Sequence, residues 1–455
     1  MPTAGQIKLN TTNDQGFTGF LGLDAAAYYG AIDMSTLGGG YMFLGSTSVS
    51  VPFVNTPFGS HNYLNQTLTP GAGNTYRFGG GNGDLLNIGG AIFDNVITGT
   101  ANVEVGAGIA TLGSNGGGTA GLVGTVGSLT RQNTSGNVRL NQSGIFQLGN
   151  SFALGNGTLI FNGGTLANFG SFAPKNNMQA TADLNFSNGA QLVLRGNLDL
   201  SPDGVGATRT LTSNSSRIWI NGVISGVDGT NFIKAGAGEL VLNGLNTYQG
   251  TTAITGGNIW FNNDVMPNAP GSFGVSSTPV QFSANNTNVF PTGQLTFGRD
   301  MIIAAAANGI FFQTQTTGTV RVTGNVTQTL TGGNNIFSAL QGSGRLFGGL
   351  LDIQGSISGT GTVMFGGGDN RTGSVRLSTL SPNGYSANNF SGTASSPGHM
   401  WKSIPIPITS GPPIRRLRSS RARSARALFR FRIRTPTSEA AFVPERWLKP
   451  TARIA

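Results

Sequence analysis

Asp199 and Asp203, in the stretch LDLSPDGVG, are the closest pair of carboxylates in the body of this 455-residue chain. Two carboxyl groups about 5–9.5 Å apart can cleave a glycosidic bond, one as acid and the other as base or nucleophile. The flanking residues argue for a different role. Ser-Pro-Asp-Gly after Leu200 is a β-turn sequence with proline at its first central position. Asp203 is well placed to bond its own backbone there. Glu104, Glu239 and Asp264 have no acidic neighbour within a few residues, so no second pair presents itself.

Other reactive constellations fail for want of residues. Histidine occurs only at His61 and His399. A histidine-held metal or a Ser-His-Asp triad would rest on His61 alone, which reads as a turn or surface residue. The absence of cysteine removes disulfides, thiolate metal sites and thiol nucleophiles together. No Gly-Lys pair exists, which excludes a P-loop. GGGTAG (116–121) fits Gly-x-Gly-x-x-Gly, but the residues after it do not form a helical pattern. GGGNGD (79–84) resembles a calcium-binding nonapeptide yet lacks one residue before Asp84 and has no tandem copy, so it reads as a backbone turn. No catalytic residue, metal ligand or cofactor is expected.

What elements, then, does such a chain build? Glycine numbers 73, charged residues make up 10 %, and apolar residues reach 38 %. The apolar share is too high for a disordered chain. Only four glutamates and five lysines are present, so solvent-facing helices lack their usual residues. Short strands joined by glycine turns fit best. No run approaches the roughly 18 apolar residues of a membrane helix, and MPTAGQIKLN carries no export-signal core, so the expectation is confinement within the cell or a true start further upstream.

The chain repeats itself. GAGELVLNG (236–244) matches GNGTLIFNG (155–163) and GTGTVMFGG (359–367), with a looser copy in GNGDLLNIGG (81–90). In each of the first three copies two glycines lead into an alternating strand. Leu240 and Leu242, Leu159 and Phe161, and Val363 and Phe365 share one face by the two-residue strand period. The looser copy shifts its apolar pair to Leu86 and Ile88. Gly244, Gly163 and Gly366 or Gly367 are then expected to turn the chain through positive φ. A second motif, INGVISG (220–226), IQGSISG (353–359) and VTGNVTQ (322–328), reads as a strand with a corner.

A propeller would need a steady period of ~40–45 residues with Trp-Asp or Gly-His marks, and none is present. A parallel solenoid accounts for the low charge. Like residues stack over like residues at ~4.8 Å, so identical charges repel while Asn and Thr ladders satisfy one another.

The residues Lys234, Gly236, Gly238, Leu240, Leu242, Gly244, Asn246, Thr247, Tyr248, Gly250, Thr251 and Gly256 lie in ISGVDGTNFIKAGAGELVLNGLNTYQGTTAITGGNIWF (224–261). In that order they resemble the autotransporter-associated β-strand repeat, also called the passenger-associated transport repeat, of bacterial surface passenger domains. The likeness is strong over about 40 residues and looser in YRFGGGNGDLLNI (76–88) and LGNGTLIFNGGTL (154–166). It implies an all-β, right-handed parallel β-helix at the cell surface. The secretion signal and membrane barrel that such proteins carry are not visible in this sequence.

Residues 394–455 differ from the rest. They hold 13 Lys and Arg against 2 acidic residues, 8 of the 19 prolines and only 2 glycines, whereas the first 393 residues are close to neutral. GSVRLSTLSPNGYSANNFSGT (373–393) starts a repeat whose continuation never arrives. RRLRSSRARSARALFRFRIR (415–434) could bind a polyanion or nucleic acid, form a solvated arm, or be translation out of frame. The cut mid-motif favours the last, so no specific nucleic acid is expected.

The expected organisation is a β-rich solenoid segment over 1–75, a parallel β-helix over 76–393 and a basic tail over 394–455, which the cut repeat marks as disordered or out of frame. At 20–25 residues per rung the body would form a rod about 75–95 Å long. The expected function is non-enzymatic: a stiff passenger-like rod of a secreted or cell-surface protein, with an adhesive role toward a surface ligand, a carbohydrate or other cells, and with self-association through its open ends. The rivals are a polysaccharide-acting β-helix enzyme and a polyanion binder acting through 415–434. Phenylalanines should fill the core. Trp219 and Trp260 alternate with inward neighbours and are expected on an outer face, the one hint of a binding surface.

Overall fold

The structure is a computed structural model that describes residues 20–23, 27–46, 61–79, 85–89, 92–106, 124–128, 132–142, 144–168, 170–214, 216–283, 287–304, 310–314, 318–339, 349–365, 374–377 and 389–395. The motifs GGGTAG (116–121) and GGGNGD beyond Gly79, as well as His399 and the tail from 396, lie outside them.

The glycine-led alternations are strands, as their two-residue period dictates. Leu159–Asn162 and Glu239–Leu242 each follow their glycine pair. In the third copy the glycines lie inside a longer strand, Ile357–Phe365. Every pairing between these strands is parallel and joins one rung to the next. One face stacks nine strands from Phe20–Leu23 to Ile224–Ser225. A second runs from Ala27–Tyr28 to Met301–Ile303 and beyond, and a third from Leu192–Leu194 to Ile310–Thr314. The second and third merge in Val326–Ala339, which pairs with both Met301–Ile303 and Ile310–Thr314. Successive rungs lie 19, 22 or 30 residues apart where the chain is most regular. The fold is an all-β parallel solenoid.

A single column of apolar side chains fills it. Leu159, Phe161, Leu240, Leu242, Leu86, Ile88 and Val363 are all buried, together with Phe232, Phe261, Phe282 and Phe297. Phe261, Phe273, Phe297 and Phe312 form a chain of ring contacts with centroids 4.9–6.1 Å apart. Each such ring contributes about 1.5–3 kcal/mol of burial.

The corner motif is real and has a steric cause. Ile218–Ile220 ends before Gly222, and Ile224–Ser225 begins the next face. A Cβ on Gly222 would sit 2.1 Å from the Gly196 carbonyl of the rung below, and one on Gly244 would sit 2.2 Å from that of Gly222. Gly157 over Gly136 and Gly355 over Gly324 repeat this approach, at 1.9 Å each. Glycine is therefore required at Gly244 by the neighbouring rung, not by positive φ as its sequence suggested. Gly163 does turn through positive φ, at 88°.

Charge follows the stacking rule in a modified form. Where charged residues stand in register their signs alternate: Arg77, Glu104 and Arg139 in one column, and Arg321, Asp352 and Arg376 in another. Arg77 lies 3.3 Å from Glu104. Asp352 is fully buried, accepts from Gln354 at 2.8 Å, and is clamped by both Nε and Nη2 of Arg376.

Other expectations resolve at single residues. Asp199 closes the strand Leu198–Asp199 and accepts from Ser201 N, while Asp203 lies in the following turn and accepts from Val205 N. Asp264 accepts from Thr296 of the next rung. His61 opens the strand His61–Tyr63 and is not in a turn. Asn389–Ser395 is a strand paired with Ile357–Phe365, whereas Asn246–Thr251, which it echoes, is irregular apart from an isolated bridge of Asn246 to Gly271.

Candidate functional site

The stretch 224–261 holds two kinds of site, one facing inward and one facing outward. Inward, Lys234 is fully buried near the end of the strand Asn231–Ala235, where the chain turns into its next face. Its Nζ donates to the carbonyls of Ala235 and Gly236 at 2.9 Å each, and to Gly256 on the following rung at 3.0 Å. Gly236 turns at φ 77°, aiming its carbonyl at the ammonium. Gly238 and Gly256 keep the corner close, since a Cβ would meet the Ser213 hydroxyl at 2.5 Å in the first case and the Gly236 backbone at 2.8 Å in the second. Burial pushes the Lys234 ammonium down to about 8.

The next corner is built the same way. Asn246 is buried, its Oδ1 accepting from Ile224 N at 2.8 Å and its Nδ2 donating to Ser272 O at 2.7 Å. One amide thus ties three rungs together. Thr247 N donates to Ile224 O, and Thr251 donates through N and Oγ1 to Asn231 Oδ1. Gly250 clears the Thr230 carbonyl, which a Cβ would approach to 2.2 Å. Tyr248 points into the core, packs at a tilt against Phe232 with centroids 5.7 Å apart, and shares a 2.8 Å hydrogen bond with Thr252. Burial raises its phenol to about 12. Leu240 and Leu242 complete the set as core residues, so all twelve residues of the motif serve the stacking of rungs.

The sequence did not single out Arg299. It is buried beneath Tyr248, donating to Phe273 O at 2.5 Å and to Thr278 O through Nε at 2.9 Å and Nη2 at 2.6 Å. Burial lowers its pKa from the usual guanidinium value.

Outward, the third face carries two parallel rows. The register Leu192↔Ile218↔Leu240↔Ile259↔Val289 points these residues inward. The residues one step later form an apolar row: Val193, Trp219, Val241, Trp260 and Phe290. Those one step earlier form a polar row: Gln191, Arg217, Glu239, Asn258 and Asn288. Trp219 and Trp260 are half-buried on this outer face, as their alternation predicted. Trp260 and Phe290 lie 4.1 Å apart between centroids. Val241 is covered between the two indoles.

The polar row is hydrogen-bonded from Arg217 to Asn288. Arg217 Nε lies 2.5 Å from Glu239 Oε2, Asn258 Nδ2 donates to Glu239 Oε1 at 3.3 Å, and Asn288 donates to Asn258 Oδ1. The Arg217 guanidinium lies 4.6 Å from the Trp260 ring centre and 5.9 Å from that of Trp219. Gln191, Ser216, Arg217, Ala237, Glu239 and Asn258 line an open groove of about 520 Å³. The signal for this pairing is present in the sequence as the alignable tetrads RIWI, ELVL and NIWF, which place Arg217, Glu239 and Asn258 at one offset.

Among the described residues there is no group of three or more His, Cys, Asp or Glu placed to hold a metal ion, and no helix long and apolar enough to cross a membrane.

The passenger-associated transport repeat matches residues 232–259, which hold Lys234 through Gly256. Over 203 residues the chain is 27 % identical to an adhesin, the BmaC autotransporter of Brucella suis biovar 1 (strain 1330). That stretch is 43 % of this chain and 6 % of the relative, so the chain matches only a small part of that protein's length. No solved structure matches the chain. The chain thus carries a passenger-associated transport repeat over 232–259, set in a parallel solenoid whose corners that motif makes.

Proposed function

We propose that this chain is a non-enzymatic rod, a passenger-like region of a bacterial protein that is secreted or held at the cell surface, and that it serves in adhesion. One observation carries the reading: a single buried column runs through parallel rungs from Leu23 to Val375. Such a column resists bending because every rung is hydrogen-bonded to two others. The relative that shares this sequence is named an adhesin. The motif residues Lys234 to Gly256 act as structural keystones of the rod rather than as ligands for a partner. Residues 76–393 make up the repeat body, and copies of the chain self-associate through strand edges of the solenoid.

Negative-stain electron microscopy of the full chain tests the shape. Rods about 70 Å long are expected from the rungs stacked along the second face at ~4.8 Å each, with end-to-end assemblies. Round particles would overturn the proposal. Display of the chain on a non-adherent bacterium, followed by counting of cells retained on host-cell layers, tests the adhesive part. Retention equal to that of the undisplayed strain would remove it.

A further inference from the structure

We propose that the outward face of Gln191, Arg217, Glu239 and Asn258 is a binding groove for an uncharged glycan. This rests on the surface-rod reading only for where the ligand is met.

The argument begins with spacing. Residues in a row recur once per rung, at ~4.8 Å along the axis. An extended chain of pyranose rings advances by about one rung spacing per sugar. Its hydroxyls would therefore meet a new side chain of the polar row at each step. That row offers Gln191, a donor and acceptor; Arg217, a donor; Glu239, an acceptor; and Asn258, a donor and acceptor. Vicinal hydroxyls need such alternation, because each is both donor and acceptor.

The groups also have capacity to spare. Arg217 carries five N–H donors, and its Nε is the one engaged by Glu239. Both side chains remain partly open to solvent, at 35 % and 27 %. Gln191 is exposed at the groove's edge. Beside the polar row, about two residues along each strand and so roughly 6.6 Å away, the indoles of Trp219 and Trp260 supply apolar flanks. They stand two rungs apart. Trp260 is already faced by Arg217 and Phe290, so the half-buried Trp219 indole is the aromatic surface left for the C–H face of a sugar, while the hydroxyl edges turn to the polar row.

Charge selects among ligands. Arg217 and Glu239 cancel each other within the groove. A sulfated or sialylated glycan would face the Glu239 carboxylate, and a cationic peptide would face Arg217. An apolar partner would desolvate a lining that is polar apart from Ala237. A peptide strand cannot add here, because the groove lies on the face of a sheet and not along its edge.

The test uses the full chain on an array of immobilised neutral, sialylated and sulfated glycans. The strongest neutral ligand is then titrated in solution, followed by tryptophan emission, which reports Arg217 moving over Trp219 and Trp260. Expected is retention of neutral glycans and a loss of affinity of about tenfold in Glu239→Gln, in line with one charge-assisted hydrogen bond. Arg217→Ala should lose a similar factor. Circular dichroism establishes that each variant remains folded, and Gln191→Ala, at an exposed position, serves as a further variant with little structural cost. Retention of charged glycans alone, no retention at all, or affinity unmoved in the three variants would overturn the inference. Rods that bind no glycan would sink this inference alone; a glycan-binding round particle would sink the rod alone.

Discussion

The ammonium of Lys234 lies 3.0 Å from the carbonyl of Gly256, one rung further along the chain. It also holds the carbonyls of Ala235 and Gly236, so a single positive charge draws two successive corners together. Its burial gives stability a specific pH dependence. Burial brings folded Lys234 down to about 8, against 10.5 for a free lysine side chain. Between those values the unfolded chain holds more protons, so stability rises with pH and falls back as pH drops through 8. The full gain is of the order of 3 kcal/mol. Denaturant titrations at intervals from pH 7 to 10 should show this rise. In Lys234→Met the rise should be absent, and a parallel slope in both proteins would refute the assignment.

At higher pH the sign reverses. Tyr63 and Tyr248 are raised by burial from 10.0 to about 12. Above pH 10 the unfolded chain loses these protons first, so the stability they contribute is lost as pH climbs to 12. The two slopes together place maximal stability near pH 10. In Tyr248→Phe the decline above pH 10 should be shallower than in the parent chain. Thermal unfolding at pH 9, 10 and 11 measures this directly, and a maximum at neutral pH would contradict it.

The rod's repeat was legible because its cause is local. Two glycines before Leu159 or Leu240, and a glycine inside INGVISG, each announce a strand or a corner within a few residues. The inward face followed from the two-residue period alone. The outward site was not legible in the same way. Arg217 meets Glu239 across 22 residues, and Asn258 meets Asn288 across 30. With rung lengths that differ so much, register is set by insertions that carry no periodic signal. Arg299 was hidden for another reason: its partners are the carbonyls of Phe273 and Thr278, and backbone acceptors leave no trace in residue type. Gly244 was legible as a required glycine but with the wrong cause, since a neighbouring rung cannot be seen from one strand.

That cause can be separated by mutation. Gly244→Ala places a Cβ against the Gly222 carbonyl with no relief from a flexible side chain. Gly204 has positive φ, 74°, and open space around it. Gly204→Ala should cost about 1–2 kcal/mol, the backbone penalty alone. Gly244→Ala should cost more, about 3 kcal/mol, because two rungs must part. Denaturant midpoints of both variants compare the two effects. Equal losses would mean the stack yields more easily than its carbonyl contacts imply.

Asp352 and Arg376 provide an asymmetric pair. Asp352 is fully buried, whereas the Arg376 side chain is 32 % exposed. The hydrogen bond to Asp352 raises the pKa of Arg376. Removing the arginine takes two charge-assisted hydrogen bonds from a carboxylate deep in the stack. Removing the carboxylate leaves an arginine that can turn toward water. Arg376→Ala should therefore destabilise by about 3–5 kcal/mol. Asp352→Asn, which keeps the shape and retains an acceptor, should cost roughly 1–2 kcal/mol. The double variant should be less damaging than Arg376→Ala alone, because no buried carboxylate then remains without its arginine. A double-mutant cycle read from urea midpoints decides it: strict additivity would show that the alternating column of Arg321, Asp352 and Arg376 is held by packing and not by charge.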